Sequence, residues 1–386
     1  MRSSTRKWTK LTFPVLLMLG ATLDLVNETN MTRIWNKHKQ SNTPLKRKVF
    51  VGLSGGVDSA VAAALLKKED YDVTGAFIRI VLPEYPCTAG QDKIDAMRAA
   101  AHLRIPFLEV DLSREYHKKI FEASVNEFKK GRNPNPDVLC NREIKFGLFY
   151  DWCFANGTDF VATGHYARLA PPVKLLVGVD AEKDQSYFLA LVPEIKLRRA
   201  LFPIGDLTKK QVRALARKFG LPNAERPDSQ GLCFLGPVSM EEMLAREVRP
   251  IPGNVLNDKG EIIGRHKGTT LYTLGQRHGF ETNSRERLYV IAKDTGRNTV
   301  TVSPDQFPRG ARQTEISLAD INWIGSAQDG ACMARYRYRQ ELIPATLAQS
   351  KVILREPHYV PIGQTLVLYR GERCLGGGVI DDVKIT

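Results

Sequence analysis

Hydrophobic positions between residues 46 and 236 follow two periods in turn. Short β-rich runs alternate with longer segments in which apolar residues recur at helical spacing. The β-rich runs include KVFVGL, DVTGAFIRIVL, PFLEVDL and DFVATGHYARL, and the helical segments include SAVAAALLKKE, DKIDAMRAAAHLR and REIKFGLFYDWCFANG. The segment TKKQVRALARKFG is predicted to form a helix that follows a capping signal at Asp206 or Thr208 and ends at Gly220. Strands that alternate with helices predict a doubly wound α/β domain with a parallel sheet over residues 46–236.

The pattern changes after Gly236, where helical spacing becomes rare. Turns such as NDKG and KDTGRN separate the β-rich runs RLYVIAKD, NTVTVS, CMARYRYRQ, ATLAQSKVIL and QTLVLYRG, each of which we interpret as one strand. This part predicts a small central β-rich domain over residues 237–308 and a C-terminal β-barrel over residues 309–386.

Residues 1–45 do not fit either pattern. A basic start and an apolar run near Leu11–Leu23 imitate a signal peptide, but the run is interrupted by Pro14 and is shorter than the ~20 apolar residues of a membrane span. We interpret residues 1–45 as a non-structural extension, in which residues 1–30 are a leader or an over-extended start. An export signal is the alternative.

Charge and cysteine content narrow the class of protein. The formal net charge is +14, which favours a polyanionic partner such as nucleic acid, with a solubilising surface as the alternative. No CxxC pair occurs, which argues against a structural zinc site, and dispersed cysteines suit a reducing cytoplasm. The six cysteines are Cys87, Cys140, Cys153, Cys233, Cys332 and Cys374.

A glycine-rich turn joins the first predicted strand to the first predicted helix. Its residues Ser54, Gly55, Gly56, Asp58 and Ser59 form the pattern SGGxDS. Glycines let the backbone approach a ligand, and the helix N-terminus offers free N–H groups to an anion. A Walker loop would contain a lysine that is missing here. The loop therefore suits binding of pyrophosphate and cleavage of ATP between the α and β phosphates, with an ordinary glycine turn as the alternative.

Two cysteines, Cys140 and Cys233, have neighbouring residues that favour a chemical role. In NPNPDVLC, Asn135 is a good N-cap and Pro136 suits the first helical position, so that Asp137 and Cys140 share one helix face. The positive end of the helix dipole favours a thiolate at Cys140, whereas the negative charge of Asp137 disfavours one. A carboxylate beside a thiol is more useful as a proton carrier. Cys233 lies in the glycine-flanked loop DSQGLCFLG. A capped helix with a buried cysteine, and an inert loop cysteine, remain the alternatives.

The loop SGGxDS resembles that of the PP-loop ATP pyrophosphatase superfamily, and the chain from Lys46 to the C-terminus resembles the tRNA-specific 2-thiouridylases of bacteria and organelles. The stretches that carry the second resemblance include GLSGGVDSAVAAALLKK, GRNPNPDVLCNREIKFG, ATGHYAR, GVDAEKDQSYFLALV, DSQGLCFLG, HKGTTLYTLGQRHG and CLGGGVID. The resemblance implies an enzyme that converts the wobble uridine of tRNA to 2-thiouridine, with release of AMP and pyrophosphate.

The resemblance also implies roles for individual residues. Cys140 would be the nucleophile, Cys233 would carry a persulfide and close a disulfide with Cys140, and Asp137 would act as acid or base. ATP would lie on Gly52, Leu53, Ser54, Gly55, Gly56, Val57, Asp58 and Ser59, with Ile78 and Gly164 near it. Contacts to tRNA would come from Asn135, Pro136, Asp137, His165, Lys183, Asp184, Gln185, Arg337, Tyr338 and Gln364.

The arginines of RYRYRQ support an RNA partner on physical grounds. On a strand, Arg335, Arg337 and Arg339 would share one face and suit phosphate contacts, although a solvated strand face is the alternative. We further expect Mg²⁺ with the ATP, a persulfide donor such as a cysteine desulfurase or a sulfur relay protein, and a cytoplasmic monomer that is not bound to a membrane.

Three rival functions follow from the same sequence. One is another PP-loop enzyme, such as an amide-forming synthetase or a tRNA lysidine synthetase, which needs no paired cysteines. A second is a non-catalytic tRNA-binding or nucleotide-sensing module, and a third is an exported or membrane-anchored protein. Two cysteines and an aspartate could also hold an iron–sulfur cluster, although a disulfide pair is simpler.

Overall fold

A computed structural model describes residues 46–386 except 83–84, 86–87, 229–232, 235–246, 248–249, 285 and 327–328. The predictions made for residues 1–45, and for Cys87, lie outside the described residues. No helix within the described part is long and apolar enough to cross a membrane.

The first part of the chain alternates strands and helices as predicted. Its strands are β1 (Lys48–Gly52), β2 (Asp72–Arg79), β3 (Phe107–Asp111), β4 (Phe160–Ala162), β5 (Ala167–Ala170), β6 (Lys174–Val177) and β7 (Ala200–Leu201). Its helices are α1 (Val57–Lys68), α2 (Ala89–Leu103), α3 (Ser113–Tyr116), α4 (Ala123–Lys129), α5 (Pro136–Cys140), α6 (Tyr150–Ala155), α7 (Ser186–Leu189), α8 (Glu194–Leu197) and α9 (Lys209–Lys218). Two π-helical segments, π1 (His117–Glu122) and π2 (Asn141–Phe149), join α3 to α4 and α5 to α6.

Five of these strands form a parallel sheet in the order β3-β2-β1-β4-β7. Successive side chains of a strand face opposite sides, and β1 shows this directly. Val49 and Val51 pack in one apolar cluster with α1, whereas Phe50 packs in the other cluster with π2 and α6. Helices therefore cover both faces of the sheet, which confirms the doubly wound α/β prediction.

The central part contains β8 (Gly253–Leu256), β9 (Ile262–His266), a 3₁₀ turn (Thr269–Leu271), β10 (Phe280–Thr282), β11 (Tyr289–Asp294) and β12 (Thr299–Ser303). These strands form one sheet in the order β10-β9-β8-β12-β11. The sheet covers a small core of its own, which includes Val255, Val290 and Val300.

The last part is a closed six-stranded barrel, as predicted. Its strands are β13 (Thr314–Trp323), β14 (Gly330–Arg335), β15 (Ile343–Ala348), β16 (Lys351–Leu354), β17 (Thr365–Arg370) and β18 (Arg373–Ile385). They pair in the order β13-β16-β15-β14-β17-β18, and pairing of β13 with β18 closes the barrel. Closure removes the free edges that an open sheet would expose.

Three strand predictions are wrong in detail. DFVATGHYARL is two strands in different sheets, because the chain leaves the parallel sheet after Ala162 and returns as β5 in the barrel sheet. ATLAQSKVIL is a hairpin of β15 and β16, which turns at Gln349 with φ +59°. RYRYRQ lies on a strand only as far as Arg335.

The predicted row of Arg335, Arg337 and Arg339 on one strand face is therefore absent. The chain turns after β14, where the Gln340 side chain accepts hydrogen bonds from the backbone N–H groups of Tyr336 and Arg337. Arg339 has φ +62°, and Arg335 is buried in an ion pair with Asp184. Local side-chain bonding to the backbone replaces the ladder that a strand would need.

The α/β part and the barrel share one continuous core. The hairpin β5–β6 adds to the barrel sheet through pairing of Leu175 with Cys374. Tyr187 of α7 packs in the same apolar cluster as Val367 and Tyr369 of the barrel. The Arg335–Asp184 ion pair, 2.6 Å long, crosses this junction and is completed by the hydroxyl of Tyr369.

Candidate active site

The loop between β1 and α1 has the geometry of an anion cradle. Gly55 has φ +81°, and a Cβ there would lie 2.8 Å from Nη1 of Arg226 and would clash with the Asp92 carbonyl oxygen. Only glycine suits this position. The hydroxyls of Ser54 and Ser59 lie 3.3 Å apart and bond to loop backbone atoms, which fixes the loop in front of the twelve-residue helix α1. The N-terminus of α1 behind the loop, where Gly56 and Asp58 are half-buried, favours a phosphate group.

Gly164 lies against the same loop, as the prediction requires of a residue near the nucleotide. A Cβ at Gly164 would lie 2.7 Å from the backbone nitrogen of Ser59 and 2.8 Å from the carbonyl carbon of Asp58. Ile78 lies near the carboxyl end of β2, the strand beside β1. The carboxyl ends of parallel strands are where α/β proteins bind ligands.

Charged residues that sequence reasoning missed surround the loop. Lys209, the first residue of α9, lies 2.8 Å from both Asp58 and Asp228, and Tyr166 donates a hydrogen bond of 2.8 Å to Asp58. Partial burial raises the pKa of Asp228, but hydrogen bonds from Lys183 and Lys209 hold the pKa well below its usual range. Lys209 follows a capping box of Thr208 and Gln211, so the predicted cap of this helix is confirmed.

Helix α5 begins as the sequence predicts. Asn135 is the N-cap, and its side-chain oxygen accepts a hydrogen bond of 3.2 Å from the N–H of Val138. Its amide nitrogen donates to Gln364 of the barrel at 2.8 Å and to the Tyr187 hydroxyl at 3.3 Å. The cap thus also connects the start of this helix to the barrel.

The structure brings Cys140 and Cys233 together. Cys140 is fully buried and lies close enough to the partly buried Cys233 for that neighbour to raise the pKa of Cys140, and both are free thiols. The N–H of Cys233 donates to Asp137 at 3.2 Å, and the Tyr116 hydroxyl donates to the Cys233 carbonyl at 2.9 Å. The ammonium group of Lys145 lies 3.7 Å from the Cys233 sulfur.

Electrostatics keeps the buried thiol neutral at rest. Burial raises the pKa of Cys140 well above its usual value, the neighbouring Cys233 raises it further, and Lys145 lowers it only in part. A reaction at Cys140 therefore needs a proton acceptor, and Asp137 lies one helical turn away on the same element.

Sequence reasoning did not find Tyr116 or Lys145. Tyr116 lies on α3, more than a hundred residues before Cys233, so no local pattern could have indicated the contact. Lys145 stands between the buried Ile144 and Phe146, and a lysine between two core residues was the available signal. No group of three or more His, Cys, Asp or Glu side chains that could hold a metal ion occurs among the residues described.

The residues predicted to contact tRNA lie on several elements. Asn135 and Gln364 touch each other, while His165 is buried, with Thr163 at 2.7 Å and the rings of Phe146 and Phe202 around it. Within Lys183–Gln185, Lys183 pairs with Asp228, Asp184 pairs with Arg335, and the Gln185 side chain accepts from the Tyr166 N–H. Arg337 is exposed, and the ring of Tyr338 lies 4.6 Å from that of Phe188. Their roles remain predictions.

Family models match nearly all of the described chain. The tRNA methyl transferase HUP domain matches residues 47–237, the tRNA methyl transferase PRC-barrel domain residues 241–304, and the Aminomethyltransferase beta-barrel domain residues 313–380. A solved structure titled as a 4-thiouridine synthetase–RNA complex with bound ATP is similar over 52% of this chain and 50% of its own, at 16% identity and a TM-score of 0.33, too low to support any conclusion.

Curated relatives match over almost their whole length. The tRNA-specific 2-thiouridylase MnmA of Bacillus licheniformis is 40% identical over 358 residues, which is 88% of this chain and 96% of the relative. The protein of the same name from Bacillus subtilis is 40% identical over 357 residues, again 88% and 96%. Similarity at this level over most of both chains confirms the resemblance, and the chain belongs to the tRNA-specific 2-thiouridylase family.

Proposed function

We propose that this protein transfers a persulfide sulfur to C2 of the wobble uridine of tRNA, forming 2-thiouridine with release of AMP and pyrophosphate. The observation that carries the proposal is the pairing of Cys140 with Cys233 beside Asp137. The relatives' printed names, which say tRNA-specific 2-thiouridylase, support the same reaction.

The two halves of the site are neighbours in space. Lys145 lies beside Cys233 and is close enough to His165 to lower the pKa of that buried imidazole, after burial itself. His165 follows Gly164, which packs against the backbone at Ser59. A substrate that reaches both the sulfur and the phosphate loop would therefore lie beside His165.

Activation of the base comes first. The uracil C2 oxygen would form a bond to the α-phosphorus of ATP, held by the loop Gly52–Ser59, as the bond to the β-phosphate breaks and pyrophosphate leaves. Two further displacements follow. The terminal sulfur of the Cys233 persulfide then forms a bond to C2 as the C2–O bond breaks and AMP leaves.

The second displacement frees the thiolated base. Asp137 takes the proton of Cys140, whose thiolate attacks Sγ of Cys233. The bond between that Sγ and the transferred sulfur breaks, and its electron pair stays on the sulfur bonded to C2. Two cysteine sulfurs are oxidised to the disulfide and the transferred sulfur is reduced, so that atoms and electrons balance.

Binding of tRNA follows from charge and from the exposed Arg337. Basic residues that contact phosphates make binding weaken as salt rises, and the target base must leave the anticodon stack to reach a buried thiol. Arg337, which is exposed, is our candidate for a direct contact with tRNA, whereas the Gln364 side chain is already bonded to Asn135 and to the backbone at Thr365. Asp184 is engaged in an internal ion pair and is our candidate for positioning its neighbours.

Mg²⁺, the sulfur donor, the monomeric state and the cytoplasmic location remain predictions. In the phosphate loop the carboxylate of Asp58 is engaged by Lys209 and Tyr166, so a magnesium ion would be held chiefly by the nucleotide's phosphates. The donor must deliver sulfur at the persulfide oxidation level, which is the chemistry of a cysteine desulfurase or a relay protein.

Mass spectrometry of tRNA nucleosides tests the proposal. The enzyme is incubated with tRNA, ATP, Mg²⁺ and a persulfide donor, and we expect an oxygen-to-sulfur exchange on uridine that Cys140→Ala and Cys233→Ala each abolish. Cys332→Ala is the matched control, because Cys332 lies on β14 in the barrel core. Full turnover in both active-site variants would favour a PP-loop enzyme that needs no cysteines.

A further inference from the structure

Lys145 has no role in the reaction as derived so far, yet its ammonium group contacts the reacting sulfur. Nζ of Lys145 lies 3.7 Å from Sγ of Cys233 and 5.9 Å from the centre of the Phe234 ring. Phe234, the next residue after Cys233, has φ +69° and packs edge-on against Tyr116. The cysteine loop therefore presents both a sulfur and an aromatic face to this one cation.

The π-helical segment explains why Lys145 reaches this place. In an α-helix, the fifth residue after Cys140 would point well away from it, whereas π-helical i→i+5 spacing returns it to the same side. Segment π2 begins at Asn141, directly after Cys140, and the carbonyl of Arg142 lies against the kink at Gly147. The local helix geometry therefore puts the lysine on the face of the cysteine.

In the part of the chain that the structure describes, no carboxylate pairs with Lys145, so its positive charge acts mainly on the two cysteine sulfurs. Glu143 on the same segment is paired with Lys119 and Arg142. Among the described residues, the groups that face Cys233 are Asp137, Cys140, Lys145 and the hydroxyl of Tyr116, and Lys145 is the one cation in this set.

Lys145 stays protonated despite its surroundings. Burial lowers its pKa, but the charges of Cys233, Cys140 and Asp137 outweigh burial and raise the pKa above its usual value. The same cation acts on the imidazole of His165, whose lowered pKa, set first by burial, leaves it neutral.

We propose that Lys145 is a catalytic residue that holds the sulfur on Cys233 as an anion, both as the thiolate that accepts a persulfide sulfur and as the persulfide that attacks uridine. The role in uridine thiolation rests on the proposed function. Asp137 repels negative sulfur, and the ammonium group offsets that repulsion. Closure of the Cys140–Cys233 disulfide removes the negative charge, so Lys145 also favours the reduced state of the pair.

Alkylation of individual cysteines tests the proposal without tRNA. The full chain is treated with iodoacetamide over a range of pH, and modification of Cys233 is quantified by peptide mass spectrometry. Lys145→Met keeps the length of the side chain and removes the charge, and Lys145→Arg keeps the charge. Lys119→Met is the matched control, because Lys119 lies on the neighbouring π1 and pairs with Glu143.

We expect Lys145→Met to lower the alkylation rate of Cys233 near neutral pH by about tenfold, because the sulfur anion then lacks the ammonium group that lies 3.7 Å away. Raising the pH should restore the rate, because the thiolate then forms without the cation. Lys145→Arg should recover much of the rate, and Lys119→Met should leave it unchanged. Single-turnover formation of 2-thiouridine should fall in parallel, and the disulfide should become harder to reduce in Lys145→Met.

An unchanged rate and pH dependence in Lys145→Met would overturn the proposal. A slow rate that higher pH does not restore, or an equal loss in Lys119→Met, would also overturn it, because either result indicates a packing defect. If Lys145→Met is unstable, as its thermal midpoint would reveal, Lys145→Gln is measured in the same way. A wild-type enzyme that forms no 2-thiouridine would overturn the proposed function instead, and the alkylation profiles do not depend on that result.

Discussion

A missing side chain at Gly164 lets two loops of the candidate site approach each other. The backbone at Asp58 and Ser59 occupies the space where a Cβ would be. Both neighbours are main-chain atoms at the start of α1, so they cannot move aside as a flexible side chain can. Any side chain at position 164 must therefore displace the phosphate loop or the segment that carries His165.

We predict that Gly164→Ala weakens ATP binding and reduces 2-thiouridine formation at least tenfold, with a loss of about 1–3 kcal/mol of stability from overpacking. Isothermal titration with a non-hydrolysable ATP analogue measures the first effect. Gly296→Ala is the control, since Gly296 is exposed and a Cβ there meets its nearest neighbour at an ordinary 3.4 Å. Equal affinities in the two variants would contradict the prediction.

Single positions differ in how far the sequence could identify them. The Asn135 cap and the common helix of Asp137 and Cys140 were predicted correctly, because capping and helix spacing are local rules that operate within a few residues, whereas the roles of these residues remain predictions. Lys145 was missed because nothing in CNREIKFG indicates a π-helical turn rather than an α-helical one. Lys209 and Asp228 were missed because their meeting with Asp58 depends on tertiary packing alone.

Helix α5 depends on one side chain for two separate functions. The oxygen of the Asn135 amide caps the helix, and the nitrogen of the same amide holds Gln364 and Tyr187. Aspartate can accept the capping hydrogen bond but cannot donate one to Gln364 or Tyr187. Comparison of Asn135→Asp with Asn135→Ala therefore separates the cap from the contact with the barrel.

We predict that Asn135→Ala lowers the free energy of unfolding by about 1 kcal/mol through loss of the cap, whereas Asn135→Asp retains most of that stability. Both should reduce 2-thiouridine formation, because neither can donate to Gln364. Thermal unfolding and single-turnover assays on the two variants measure the effects. Full activity in Asn135→Asp would show that the contact with the barrel is dispensable.

Helices and strands were predicted well where one hydrophobic period continued along the segment. They were predicted poorly where the chain passed from one sheet to another within the segment. The parallel strands and helix α9 follow clear patterns and were found. DFVATGHYARL keeps a strand-like composition across Gly164, although the chain passes there from one sheet to another. Composition does not record which sheet a strand joins, so this division could not be seen in the sequence.

The buried pair of Arg335 and Asp184 holds the barrel to the α/β part. The side chains are 10% and 6% exposed, and the carboxylate also accepts from the Ser186 hydroxyl and from two backbone N–H groups. Removal of one partner from a buried pair leaves an uncompensated charge, which typically costs 3–5 kcal/mol, about as much as many domains have to spare.

We predict that Arg335→Met lowers the thermal midpoint far more than Lys351→Met, which removes an exposed ion pair with Glu315 in the same barrel. Arg335→Met combined with Asp184→Asn should be more stable than Arg335→Met alone, because no buried charge is then left unpaired. Differential scanning calorimetry of the wild type, the two single variants, the double variant and Asp184→Asn alone checks both statements. Additive losses would mean that the two side chains do not interact.

The shared core has a consequence for synthesis on the ribosome. Asn133 and Asn135, which lead into helix α5, bond to Ile362 and Gln364, and the core around Tyr187 is completed by Tyr369 and Cys374. Domains that fold independently can complete themselves as they emerge, N-terminal first. Here the nascent α/β part cannot finish folding until strands at the far end of the chain have left the exit tunnel. A chain released early would therefore carry Cys140 and Cys233 without the contacts that fix helix α5.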